Sequence, residues 1–274
     1  MKDMEKAAKF LKERDYLLIT AGAGMGVDSG LPDFRGKEGF WRAYPVAKKL
    51  NLRFEEMANP LWFDKDPNLA WAFYGHRLNL YRKTSPHKGF YKLLELAKTK
   101  KDYFVFTSNV DGQFQKAGFE EEKIDEVHGS IHYFQCVLPC RDEIWKAPDT
   151  AIEIDFDTFR AKEPLPRCKY CSSVARPNIL MFGDWKWIEK REEKQRSRFL
   201  DFIERAKDSL VILEFGAGKA VPTVRMMGED ISFAYGAPLI RVNPRDYEVS
   251  FGNVSIASGA EEAIFKICDI IKNI

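Results

Sequence analysis

The sequence predicts an α/β protein: a Rossmann-type parallel sheet with helices on both faces, plus a small zinc-binding insert and a helical insertion. Three observations predict it. Short apolar runs bounded by turn residues alternate with longer stretches of helical period. A glycine-rich turn directly follows the first of those runs. Four of the five cysteines fall in two close pairs, within a stretch that has little helical periodicity. At 274 residues the chain is long enough to bury a full core without disulfide help.

Taken in order, the N-terminal MKDMEKAAKFLKERDY reads as an amphipathic helix of mixed charge, without the apolar region a signal peptide needs. Core strands are expected at 16–20, 103–107, 124–127, 210–215 and 239–242, with 254–257 as a possible edge. The first, second and fourth end in small-residue or polar turns that open toward helices. In open α/β sheets that carboxyl edge is where ligands bind. Aromatic residues in PLWFDKDPNLAWAFYGHRLNLYR recur at spacings near three and four, which predicts a helical insertion over about 40–88. Residues 130–181 hold both cysteine pairs, many prolines and many charges, and read as a small module inserted into a main domain of 1–129 and 182–274.

Lys and Arg total 43 against 41 Asp and Glu, and the charges are scattered, so the net charge of +2 makes no case for a nucleic-acid or membrane-surface partner. No segment approaches the length of a membrane span. The cysteine pattern is not that of a secreted disulfide scaffold, which points to a reducing, cytoplasmic setting, and the chain is expected to act as a monomer.

The turn after the first strand, Ala21-Gly22-Ala23-Gly24-Met25-Gly26, lets the backbone approach a pyrophosphate closely. By itself it equally describes a tight corner in any βα unit. Asn109-Val110-Asp111 similarly reads as a helix cap after a strand. His128 is one of four histidines; it follows a strand, precedes a glycine, and fits either a structural residue or a base. Cys136-x3-Cys140 and Cys168-x2-Cys171, separated by 27 residues, suit a tetrahedral Zn²⁺, with a redox role for the C-x-x-C as the other reading. Four protein ligands leave no open position for a catalytic water, so such a zinc is structural. Cys268 reads as a buried helix residue.

The run 22–36, GAGMGVDSGLPDFRG, resembles the sirtuin signature GAGxSxxSGIPDFRG, with Gly26 in place of its serine. The resemblance continues in order: Thr107-Ser108-Asn109-Val110-Asp111 with TQNxD, His128-Gly129 with HG, and Arg176-Pro177 through Phe182-Gly183-Asp184 with RPxxxxFGE. Phe215-Gly216-Ala217-Gly218 then stands where the family has GTS, and Val242-Asn243 where it has IN. This implies that Gly22, Ala23 and Gly24 line the phosphates of NAD. Asp33, Phe34 and Arg35 would form the loop over its nicotinamide end, with 31–43 as a lid. Ser108, Asn109 and Asp111 would shape the nicotinamide pocket, and Gly216, Asn243 and Ala260 would lie near the adenosine. Ser108, Ala217, Gly218 and Gly26 replace side chains that in the family carry polar groups, and each lost hydrogen bond is worth roughly 0.5–1.5 kcal/mol.

The resemblance further implies an NAD-dependent protein lysine deacylase. The acyl oxygen of the substrate attacks the ribose carbon as nicotinamide leaves; His128, with Asn109 in the catalytic site, then removes a proton from a ribose hydroxyl. The products are the free lysine, nicotinamide and an O-acyl-ADP-ribose. By the same resemblance an extended acylated peptide pairs with the backbone at Phe182 and Gly183, and the zinc module braces the cleft. Tyr74 and Arg77, three apart on a helix, match a Tyr-x-x-Arg pair found in some sirtuins and could grip a succinyl or malonyl carboxylate; they equally read as a core aromatic beside a surface arginine. The alternatives are mono-ADP-ribosylation or NAD hydrolysis, and a non-catalytic NAD or ADP-ribose sensor.

Overall fold

The computed structural model describes residues 2–33, 40, 44–45, 48 and 51–274. In chain order the main elements are α1 (Lys2–Glu13), β1 (Tyr16–Ala21), α2 (Phe54–Met57), α3 (Leu61–Lys65), α4 (Pro67–Lys83), α5 (Lys88–Ala97), β2 (Asp102–Thr107), α6 (Gln113–Lys116), β3 (Ile124–Glu126), β4 (Gly129–Cys136), β5 (Ile144–Lys146), β6 (Ile154–Asp155), β7 (Arg160–Ala161), β8 (Ala175–Ile179), α7 (Lys190–Ala206), β9 (Leu210–Phe215), α8 (Thr223–Tyr235), β10 (Leu239–Val242), β11 (Val254–Ile256) and α9 (Ala260–Asn273). All six strands expected from the apolar runs form, and they make one parallel sheet in the order β11-β10-β9-β1-β2-β3.

Except at the edge strand β11, where Ser255 is partly exposed, the strands are buried on both faces, and their apolar side chains divide between them. Leu17, Ile19, Val105, Leu213 and Ile240 pack under α1, α5 and α9, whose inward residues include Ala7, Leu11, Leu93 and Ile264. Leu18, Phe104, Phe106, Ile212 and Leu239 pack on the other side against Phe199, Phe202 and Ile203 of α7 and Val224 and Ile231 of α8. This is why the strands read as continuous apolar runs rather than alternating ones. Leaving β1, the chain builds β2 and β3 on one side and β9, β10 and β11 on the other. The reversal of direction lies between β1 and β9, where an open sheet forms a crevice at its carboxyl edge.

Between β1 and α5 the described residues form the helices α2, α3 and α4, and the longest of these is not amphipathic. In α4 the residues Leu69, Trp71, Phe73, Tyr74, Gly75, Arg77, Leu78 and Tyr81 are all buried, so the helix is enclosed on most of its circumference. It starts where Asp66 accepts from Leu69 N at 3.0 Å and Pro67 takes the first turn. A Cβ at Gly75 would lie 2.6 Å from Ile152 Cγ2, which fixes glycine at that crossing. Around this helix Phe40, Tyr44, Phe63, Ile131 and Phe134 form a second core. A three-stranded antiparallel sheet, β5-β4-β8, adjoins it, and Trp71 Nε1 donates to Ala175 O of β8 at 2.9 Å.

Candidate active site

The carboxyl ends of β1, β2 and β9 open into a cleft of about 720 Å³. At its floor two glycine turns meet: Gly22 N donates to Phe215 O at 2.9 Å, and Gly24 N to Gly216 O at 3.1 Å. A Cβ on Gly22 would lie 2.8 Å from Gly216 O, and one on Gly216 only 2.4 Å from Gly24 Cα. Gly216 also has a φ of 58°. Glycine is therefore required on both sides of this contact, and the gap it leaves is a main-chain cradle.

The second wall grows from β2. Thr107 Oγ1 donates to Ala21 O at 2.9 Å and accepts from Asn109 N at 3.0 Å, while Asn109 Nδ2 donates to Gly22 O at 3.0 Å. The chain after β2 is thereby tied to the glycine turn, with Ser108, Asn109 and Asp111 lining the cleft. The Asp111 carboxyl is pushed up to about 6 by burial, with the hydrogen bond from Gln113 N opposing.

His128 stands where the parallel sheet hands over to the antiparallel one, after β3 and before β4. Its carbonyl accepts from Leu180 N at 3.0 Å. Burial lowers its imidazole pKa below the usual 6.5, against a hydrogen bond with the Ser108 backbone, and so favours the neutral ring at pH 7. The strand that delivers it is clamped to α7: Asp125 pairs with Arg196 Nε at 3.0 Å, and Glu126 with Arg191 at 2.5 Å.

At the far end of the cleft Tyr74 is 1% and Arg77 7% exposed. Arg77 Nε donates to Tyr81 Oη at 3.1 Å, and its guanidinium lies 5.3–5.7 Å from the ring centroids of Phe73, Tyr74 and Tyr81. The buried Tyr74 hydroxyl has no hydrogen-bond partner among the described residues. Phe182 and Gly183 line the cleft on the segment that follows β8. That segment is anchored by Arg176, which grips Asp184 through two buried bonds of 2.6 and 2.9 Å, and by Phe182 N donating to Ala58 O at 3.0 Å.

Most of the residues singled out from sequence thus converge: Gly22, Ala23, Asp33, Tyr74, Arg77, Ser108, Asn109, Asp111, His128, Phe182, Gly183 and Gly216 line one cleft. Three are not among its lining residues. Gly24 lies beneath the lining, against Gly216. Asn243 is fully buried, with Nδ2 on Ala217 O at 3.0 Å and Oδ1 on Arg245 N and Asp246 N at 3.1 Å. Ala260 is a buried residue of the core beneath α9. Phe34 and Arg35 lie outside the described residues, as does most of 31–43. Sequence reasoning missed Arg53, Phe54, Glu55, Tyr81, Val221 and Trp185 among others, all of which also line the cleft. Trp185 is 96% exposed, and its only sequence signal was its place directly after Asp184.

The two cysteine pairs close on one point. The four sulfurs of Cys136, Cys140, Cys168 and Cys171 lie within 4.8 Å of one another, with Cys136–Cys171 at 3.6 Å and Cys140–Cys168 at 3.7 Å. Disulfides would require about 2.05 Å. A tetrahedral ion with Zn–S bonds of about 2.3 Å would set its sulfurs about 3.8 Å apart, so the cluster fits a structural zinc. It sits at the ends of β4 and β8, the strands that lead from His128 and into Leu180.

A Sir2 family model matches residues 22–209. The chain belongs to the Sir2 family. It is 33% identical over 238 residues to an NAD-dependent protein deacylase of Leptospira interrogans, covering 85% of this chain and 84% of that one. It is 35% identical over 206 residues to an NAD-dependent protein deacylase of Thermococcus kodakarensis, covering 75% and 72%. Among solved structures, the ADP-ribose complex of a mutant Sir2 homologue superposes with a TM-score of 0.78 at 26% identity, covering 98% and 96%. The NAD complex of a Sir2 homologue superposes at 0.76 and 27%, covering 98% and 94%. No helix among the described residues is long and apolar enough to cross a membrane.

Against the Sir2 signature, the departure at Gly26 has a local consequence. A Cβ there would lie 3.7 Å from Asp111 Oδ2, so the serine of the signature would bring a hydroxyl to this carboxylate and glycine brings none. A carboxyl whose pKa is raised on folding stabilises the folded state fully below its unfolded value near 3.8, and loses that contribution as pH rises through about 6. Asp111→Asn should therefore raise the melting temperature at pH 8, corresponding to roughly 1–3 kcal/mol, and change it little at pH 4. Thermal unfolding at the two pH values checks this; a lower melting temperature at pH 8 would show that the ionised carboxylate is net stabilising.

Proposed function

We propose that the cleft accepts lysines carrying acidic acyl groups, succinyl or malonyl, as well as acetyl, and that His128 is the catalytic base. The protein is an NAD-dependent protein lysine deacylase. The observation that carries the finer reading is the buried guanidinium of Arg77 beside the unpartnered hydroxyl of Tyr74, both lining the cleft. A cation held among aromatic rings gains most from a ligand carboxylate that shares its low-dielectric surroundings.

The dinucleotide would rest on the glycine cradle of Gly22 and Gly216, which admits a pyrophosphate where any Cβ would intrude. When bound, NAD supplies the ribose carbon that receives the acyl oxygen and nicotinamide as the leaving group. Asn109 and Asp111 orient the carboxamide end; Asn109 is itself held by its bond to Gly22 O. His128, neutral because it is buried, accepts the proton of a ribose hydroxyl. The acylated lysine enters beside Phe182 and Gly183, where an extended peptide can pair with main chain.

Peptides carrying acetyl-, succinyl-, malonyl- and lipoyl-lysine, incubated with NAD, test this. Arg77→Met and Tyr74→Phe should lower kcat/KM for the succinyl and malonyl peptides by about 10- to 100-fold, and that for acetyl by no more than about threefold. Equal losses on all four acyl groups would mean that the pair only packs the core. Formation of O-acyl-ADP-ribose separates deacylation from ADP-ribose transfer to protein or NAD hydrolysis.

A further inference from the structure

The turn after β9 lacks the hydroxyls of the family signature, yet it is held from beneath with unusual thoroughness. Arg225, buried on α8, donates to three main-chain carbonyls: Ala217 O at 3.3 Å, Asp246 O at 2.7 Å and Glu248 O at 3.4 Å. Asn243 Nδ2 donates to the same Ala217 O at 3.0 Å. Two donors thus occupy both lone pairs of one carbonyl. Lys219 adds ion pairs to Asp246 at 3.5 Å and Glu248 at 3.6 Å, tying the same two turns together at the surface.

A carbonyl held by two donors fixes the plane of its peptide. In a trans peptide the next N–H points the opposite way. With Ala217 O held by Arg225 and Asn243, the Gly218 N–H points away from those two donors, and Gly218 is itself among the residues that line the cleft. That N–H has no protein acceptor among the described residues. A Cβ built on Gly218 meets nothing within 4 Å, so the approach to it is open.

We infer that Arg225 is a positioning residue for the dinucleotide: through the Ala217 carbonyl it presents the Gly218 N–H to NAD, a main-chain donor in place of the missing side-chain hydroxyls. This rests on the placement of NAD along the Gly22 and Gly216 cradle. Arg225 itself need not touch the ligand.

Three variants, Arg225→Met, Arg225→Lys and Gly22→Ala, test the inference through KM for NAD, KM for an acyl-lysine peptide, kcat and melting temperature. Arg225→Met should raise KM for NAD about tenfold, with KM for the peptide and kcat at saturating NAD within about twofold. Arg225→Lys, which keeps a donor, should recover part of the loss. An unchanged KM for NAD in Arg225→Met, or equal rises in both KM values alongside a fall in melting temperature, overturns the inference. Gly22→Ala separates the two levels of the argument. If it folds and leaves KM for NAD unaltered, the placement of the cofactor fails; if it raises that KM while Arg225→Met does not, only the role of Arg225 fails.

Discussion

His128→Ala should lower kcat for deacylation by about 100- to 10,000-fold, the range over which a positioned general base acts. Binding of NAD, measured by calorimetry, should change little, because the glycine cradle and the Asn109–Gly22 bond are set by β1, β2 and β9. The wild-type pH profile should agree. Burial lowers the His128 pKa, so the acidic limb of kcat should fall below the ordinary histidine value of 6.5, and activity should be flat across neutral pH. Activity in the alanine variant equal to wild type would remove His128 as the base. A limb well above 6.5 would mean that another group titrates.

Removal of the metal should have an effect as large, by a different route. The four cysteines supply every ligand, so zinc takes no part in the chemistry, and stripping it should act through the fold. Cys136 ends β4, which begins directly after His128; the knuckle of Cys168 and Cys171 precedes β8, which runs into Leu180, Phe182 and Gly183. Loosening these strands frees both the Phe182–Gly183 segment proposed to pair with substrate and the carbonyl of His128 that holds Leu180. Treatment with a strong chelator, or Cys168→Ala, should therefore abolish deacylation and release about one zinc per chain, with the parallel sheet retained by far-ultraviolet circular dichroism. Full activity after complete loss of zinc would show that the cysteine cluster does not brace the cleft.

Much of this site was legible because its determinants are local. The glycines at 22 and 24 announce a tight turn whatever surrounds them, Asn109 and Asp111 follow a strand within five residues of its last apolar position, and the cysteine pairs carry metal spacing in their own order. The central strands β1, β2, β9 and β10 were equally plain, since burial on both faces leaves an apolar run. Tyr74 and Arg77 stood at helical spacing and could be read two ways. Only the enclosure of α4 on most of its circumference shows that the arginine is buried and lines the cleft, as opposed to lying on the surface.

What the sequence alone determined, then, is the sheet, the cysteine cluster and the succession of motifs that marks a Sir2 chain. Each depends on residues near one another in the chain or on strand patterning. What only the tertiary structure decided is how those motifs meet. Gly22 and Gly216 must both be glycine because two main chains separated by nearly 200 residues touch there. Asn243 serves the Ala217 carbonyl from within the core, and Arg225, unremarkable in the helical stretch TVRMM of α8, donates its guanidinium to three carbonyls of other segments. Hydrogen bonds to main chain leave no trace in the identity of their acceptors, since every residue offers the same carbonyl; that is why such contacts appear only once the chain has folded.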